Sequence, residues 1–247
     1  MKTIFKTLVG SRLYGVDLPE SDYDFKGVSL PSAEDLLGLK DTAREHWDVT
    51  NDPATPGETV MHSVTKFLVL FMSGNPTVTE LVFADEKFVS VHEPIWDVVK
   101  DFAKGHLMSR KIIGSYGGYI NDQFKRVKDR KAQNNREVMI QKHGYDVKCA
   151  SHVYRLAVQG VQLVSTGSCT PTLTGVDREI CLSVKRGDKC YDHVISLLEG
   201  KIVEYDIAAK ASVLKPFDKE AMETKLDAFL VRLHGAVVRD YLAGKAQ

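Results

Sequence analysis

Runs of alternating apolar residues give way along this chain to longer stretches in which apolar residues recur every three to four positions. Residues 3–9 (TIFKTLV) predict a strand that stops at Gly10-Ser11, followed by a short turn or helix from Arg12 to Gly15. Pro19, Glu20 and Ser21 read as a loop. From Asp22 to Leu30 (DYDFKGVSL) the alternation is that of a half-buried strand. Tyr23, Phe25 and Val28 suit burial there, and Asp22, Asp24 and Lys26 share the other face. Pro31 ends that strand, and Ser32 is placed to N-cap a short helix over SAEDLLGL. Residues 41–57 are polar, contain two prolines and read as a surface loop. Glu58 to His62 predicts another strand, with Glu58, Val60 and His62 on one face. Ser63 then opens an apolar helix to about Ser73, closed by Gly74-Asn75. Pro76 suits the first position of the next helix, Pro76 to Phe83. From about residue 92 the pattern is mostly helical. Pro216 restarts the chain before a last helix carried by Met222, Leu226, Phe229, Leu230, Leu233, Val237 and Tyr241.

This order predicts an α+β protein. A small mixed sheet flanked by helices occupies residues 1–100, and a mainly helical unit follows over 101–247. A composition of 43% hydrophobic and 27% charged residues is that of an ordinary globular protein. A chain of 247 residues buries roughly 70–75% of its unfolded surface, enough for a large core. Disorder, a collagen-like rod and a small disulfide scaffold are excluded. The longest apolar run, Phe67 to Met72, is far too short for a membrane span. The N-terminal residues show no apolar signal-peptide region, and no membrane partner is expected. Cys149, Cys169, Cys181 and Cys190 form no CxxC pair and no zinc spacing. Free thiols in a reducing cytoplasm are the expectation. The formal net charge is zero, but it divides unevenly: residues 1–100 carry a net −7 and residues 101–150 a net +6. An acidic segment followed by a basic one suggests a carboxylate site facing a phosphate-rich partner.

The sharpest chemical signal is Val9-Gly10-Ser11, then ten residues, then Asp22-Tyr23-Asp24-Phe25. On a strand, side chains two positions apart point to one face, their Cα atoms roughly 6.5–7 Å apart. Two carboxylates so placed can bridge two Mg²⁺ ions roughly 3.5–4 Å apart, and Mg²⁺ completes its shell with waters and substrate phosphates. A glycine after a strand lets backbone approach a ligand closely, and the amides and hydroxyl of Gly10-Ser11 suit an anion such as a triphosphate. Asp is depleted in strands, and two like charges on one face repel, a conflict that a metal site would resolve. The bland alternative is a surface turn followed by a strand with exposed aspartates. Glu58 sits where a neighbouring strand could bring it beside Asp22 and Asp24. There a third carboxylate could ligate metal and take a proton; the alternative is a solvated Glu beside the Pro-Gly turn.

These residues carry a resemblance. V-G-S-R-L-Y-G followed by S-D-Y-D-F resembles the signature of the DNA polymerase β-like nucleotidyltransferase superfamily. More narrowly, it is similar to the predicted nucleotidyltransferases of phages and bacteria found beside RNA ligases in repair operons. Glu58-Thr-Val-Met-His62-Ser63-Val-Thr-Lys66, Gly74-Asn75-Pro76 and Glu80-Leu81 match that family's next motifs in order. Gly144-Tyr145, Lys148, Ala150, His152 and Arg155 match its helix motif. Two positions depart from the pattern: Glu58 stands for an Asp, and Ser63 stands for a Glu.

The resemblance implies a polymerase β-like core over residues 1–100 and a metal-dependent nucleotidyltransferase. It would use an NTP and two Mg²⁺ ions (or Mn²⁺), with Asp22, Asp24 and Glu58 as catalytic metal ligands and Gly10 and Ser11 at the nucleotide. Lys148, His152 and Arg155 share one helix face by spacing. Periodicity alone would make that a solvated face, and the family helix favours phosphate contact. Residues 124–136, with six Lys/Arg, suit a nucleic-acid backbone. An RNA or tRNA end is therefore the expected acceptor, in the cytoplasm or the host cytoplasm if phage-encoded. Nucleotidylation of a protein or small molecule, or nucleotide binding without turnover, are the alternatives. Residues 168–215 suggest no function.

Overall fold

A computed structural model describes residues 1–39, 46–50, 57–130 and 137–244. Among the described residues, five strands form one sheet: β1 (Lys2–Leu8), β2 (Phe25–Leu30), β3 (His46–Thr50), β4 (Glu58–Ser63) and β5 (Val89–His92). Their order is β3-β4-β2-β1-β5. Only β2 and β4 run parallel, so the sheet is mixed. The chain is α+β, as its patterning predicts.

Phe5 of β1 stacks on Trp96 at 4.2 Å, and Phe67 leans on the same indole at 5.2 Å. These rings fasten the sheet to α3 (Val64–Met72) and α5 (Pro94–Phe102). The Ser63 hydroxyl accepts from the Lys66 amide and caps α3. Ser63, which departs from the family motif, is fully buried in that cap, where a Glu would be badly suited. Gly74 closes α3 with φ +75° while packed on the Ile112 backbone, a conformation open to glycine. The helix expected over Pro76 to Phe83 is split into α4 (Pro76–Thr79) and a tighter 3-10 turn, Glu80–Phe83. Ser32 and Asp35 form a capping box on α2 (Ala33–Leu37).

Two expectations change. The second strand begins at Phe25 rather than Asp22, and Tyr23 is exposed rather than buried. The reason is Arg12. It donates to the carbonyls of Ser21 and Asp22 and lies 3.7 Å over the Tyr23 ring, holding this stretch off the sheet. Within the expected loop 41–57, His46–Thr50 is instead a strand, paired antiparallel with β4 from His46↔His62 to Thr50↔Glu58. The rest of that stretch, apart from Gly57, lies outside the described residues.

The helical part comprises α6 (Lys111–Lys128), α7 (Glu137–His143), α8 (Val147–Thr166), α9 (Gly175–Arg186), α10 (Tyr191–Lys210) and α11 (Lys219–Leu242). Helix α8 is its axle, packed against α6, α9 and α10. In α11, Met222, Leu226 and Leu233 are buried and Tyr241 stays exposed. The position near residue 100 falls inside α5, and buried apolar side chains run as one cluster from Ile4 to Leu233. Among the described residues, no helix is long and apolar enough to cross a membrane.

Candidate active site

Strand β1 ends at Leu8, where it pairs with Phe25 of β2, and the Val9 amide continues the ladder by donating to the Asp24 carbonyl at 2.8 Å. The chain then turns through the short helix α1 (Gly10–Leu13). Gly10 has φ +68°, and a Cβ there would lie 2.9 Å from Asp24 Oδ2, so glycine is needed for conformation and for space alike. Asp24 Oδ1 accepts from the Glu58 amide at 3.2 Å, tying the first strand of the parallel pair to the second. Gly57, just before, presses against the Tyr23 backbone with no room for a Cβ. Asp22 and Glu58 are exposed and Asp24 is half-buried.

This strand edge is one wall of a cavity of about 490 Å³. All eight residues expected in the site line it: Gly10, Ser11, Asp22, Asp24 and Glu58 on the strand side, and Lys148, His152 and Arg155 from α8. They do not behave alike. Lys148 is exposed, and among the described residues no carboxylate lies within ion-pairing distance of it. Arg155 is only 3% exposed. Its guanidinium stacks on Tyr14 at 3.6 Å, donates to Gln159 and to His152 Nδ1 (2.9 Å), and lies 3.9 Å from the Glu80 carboxylate. A guanidinium can only donate, so His152 Nδ1 accepts and the ring proton sits on Nε2, facing the Tyr119 hydroxyl at 3.2 Å. His152 is thus engaged by Arg155 on one side and by Tyr119 on the other. Spacing places Lys148, His152 and Arg155 on one face but does not reveal that exposure falls along it, from exposed Lys148 through half-buried His152 to buried Arg155.

Among the described residues, no three acidic, histidine or cysteine side chains lie close enough together to hold a metal ion. The tight three-carboxylate convergence expected from the sequence is therefore not seen. The donor chemistry of Asp22, Asp24 and Glu58 nevertheless fits Mg²⁺. That ion takes one or two carboxylates and fills its remaining positions with water and substrate phosphate.

The comparisons with known proteins bear on what such a cleft does. Residues 1–231 match the family model RlaP, described as the RNA repair pathway DNA polymerase beta family. The chain belongs to the RNA repair pathway DNA polymerase beta family. It is also similar to an uncharacterized 38.9 kDa protein of Enterobacteria phage T4 from the nrdC-mobD intergenic region. Those two chains are 28% identical over 129 residues, half of this chain and 38% of that relative. A crystal structure of a nucleotidyltransferase-like protein from Exiguobacterium sibiricum aligns over all of this chain and 76% of its own, with 9% identity and a TM-score of 0.29.

Four residues of this family member matter to the cleft without having been singled out from the sequence. Arg12 clamps the loop that carries Asp22, with Asp17 3.5 Å from its guanidinium. Lys26 lines the cavity two residues beyond Asp24, and its ammonium reaches the Thr77 carbonyl (3.0 Å) and Glu80 (3.7 Å). Glu80 is 4% exposed and accepts from the Tyr14 hydroxyl at 2.8 Å. Burial pushes the Tyr14 hydroxyl well above its usual pKa, so it keeps the proton that it donates. Lys185 of α9 lines the cavity with Lys148 and donates to the Val16 carbonyl at 2.7 Å. Burial lowers its pKa, and the neighbouring Lys148 charge lowers it further against the opposing pull of Cys181, Asp17 and Glu20. The GSRLYG and E-L motifs already contained Arg12, Tyr14 and Glu80. Lys26 and Lys185 carry no local signal.

Proposed function

We propose that this protein transfers a nucleoside monophosphate from an NTP to an acceptor hydroxyl at the end of an RNA, tRNA included, and releases pyrophosphate. The observation that carries this reading is the polarity of the cleft. Asp22, Asp24 and Glu58 line one side, and Lys148 and Lys185 line the other. A polyphosphate bound with divalent cations needs both walls at once. Asp22, Asp24 and Glu58 would hold Mg²⁺ or Mn²⁺, which when bound neutralises phosphate charge and activates the attacking hydroxyl.

The chain's own groups supply the rest. Gly10 and Ser11 face the phosphates, and Lys148 with Lys185 draws the triphosphate tail to the helical side. The acceptor oxygen forms a bond to the α-phosphorus as the bond to the β-phosphate oxygen breaks. The hydroxyl proton passes to a carboxylate, for which Glu58 is placed, and the electron pair leaves with pyrophosphate. Arg155 holds Tyr14 and His152 in position beneath the substrate. The basic run that includes Lys125, Arg126, Lys128 and Arg130 at the end of α6 suits the acceptor backbone; its continuation over 131–136 lies outside the described residues.

The test is to incubate the protein with each α-labelled NTP, Mg²⁺ or Mn²⁺, and RNA, DNA or protein. Label should enter RNA, and Asp22→Ala and Asp24→Ala should abolish it while the fold survives. Label in protein or a small molecule would replace the acceptor. Labelling undiminished in both variants would end the reading.

A further inference from the structure

The residues between 168 and 186, which suggested nothing as sequence, reach back to the turn that follows β1. Four consecutive carbonyls of that turn are each taken by a donor from this segment. The Thr172 hydroxyl donates to Leu13 at 2.7 Å, and the Leu173 amide to Tyr14 at 3.0 Å. Arg178 Nε donates to Gly15 at 2.7 Å, and the Lys185 ammonium to Val16 at 2.7 Å. The turn's own hydrogen bonds are short-range and close on themselves: Tyr14 to Gly10, Gly15 to Arg12 and Val16 to Ser11. Gly15 sits at φ +68°, and a Cβ there would come within 3.2 Å of Thr172 and 3.4 Å of the Leu173 carbonyl, so the two segments touch at backbone level.

We propose that Arg178 is a positioning residue: with Thr172 and Lys185 it locks residues 10–16 into the shape that presents Gly10 and Ser11 to the cleft. Arg178 is the informative member of this set. Lys185 lines the cavity and would meet the substrate itself, whereas Arg178 does not line it. The Arg178 side chain is 42% exposed, and among the described residues its Nη1 is paired with the neighbouring Glu179. Removing its charge therefore opens no core. The guanidinium is a fixed planar donor, and its bond to Gly15 fastens the point where the turn has least intrinsic stiffness. The value of such a lock to catalysis rests on the reading of the turn as the phosphate-facing element; the lock itself does not.

The experiment compares Arg178→Met, which keeps the stem and loses the donor, with Arg178→Lys, which can restore one. Hydrogen exchange at the amides of Tyr14, Gly15 and Val16 is read beside the thermal midpoint and the equilibrium affinity for Mg²⁺-ATP and the other NTPs. In Arg178→Met, exchange at these three amides should rise about tenfold and affinity should fall about tenfold, with the thermal midpoint unchanged. Arg178→Lys should recover much of both. Unchanged exchange in Arg178→Met would overturn the proposal, as would faster exchange spread over the whole chain or faster exchange with unaltered affinity. If the unaltered protein binds no NTP, the nucleotide reading falls, and the exchange at residues 14–16 alone decides the lock.

Discussion

On the strand side of the cleft, Asp22 and Glu58 stand in solvent and are held mainly through their backbones. On the helical side, Arg155 is almost wholly buried, and its guanidinium is occupied with Tyr14, Gln159, His152 and the buried Glu80 carboxylate. One wall has its charge available and contributes little to the fold. The other has much of its charge already neutralised and is part of the core. Lining a cavity therefore means two different things within one protein, and perturbing the two walls should separate the meanings.

The sharpest separation comes from the buried side. Arg155→Ala leaves Glu80 short of a cation in a dry site, a loss of about 3–5 kcal/mol, seen as a lower denaturant midpoint before any assay. If denaturation is unmoved, Arg155 belongs with the solvent-facing groups and the contrast fails. Asp24→Ala should do the reverse. Labelling of the acceptor should fall by at least about a hundredfold, with stability lowered by only about 1 kcal/mol, the loss of one hydrogen bond to the Glu58 amide. Lys148→Ala is the milder form of the same result: a KM for NTP raised about tenfold, as expected on losing a charge-assisted phosphate contact, with kcat and stability nearly unchanged.

The smallest effect concerns pH. Burial lowers the Lys185 pKa, so its ammonium is lost at a lower pH than that of an ordinary lysine. NTP affinity should decline a few-fold earlier on the alkaline side, and Lys185→Arg, which keeps its charge, should remove that limb. The linked stability has the opposite sense. Because the folded-state pKa lies below the unfolded one, stability is gained as pH climbs through that alkaline interval. A KM profile identical in Lys185→Arg and parent would take Lys185 out of the substrate's reach.

How much of this was legible in the sequence follows the same division. The strands around the turn, the Ser32 and Ser63 caps and the last helix were readable because local pattern and side-chain chemistry agree there. Gly10, Ser11, Asp22 and Asp24, which all line the cleft, could be proposed as site residues because carboxylates two positions apart beside a glycine turn conflict with ordinary strand preferences. The start of β2 was misread because Arg12, ten residues upstream, overrides the alternation of DYDF by drawing Tyr23 onto itself. Strand β3 was missed because a polar, proline-bearing stretch hides a five-residue edge strand whose partner alone specifies it. The state of Arg155 and the role of Arg178 were invisible for a simpler reason. Each is defined by partners more than seventy residues away.

That separation has a consequence for how the protein comes into being. The turn bearing Gly10 and Ser11 leaves the ribosome some 160 residues before the donors that fasten its carbonyls. A nascent chain that has completed its sheet still lacks the far side of its own cleft. The cleft described here is complete only once α9 has been made and has docked, and a chain stopped before α9 would hold the carboxylates with the Leu13–Val16 carbonyls unfastened and without Lys185.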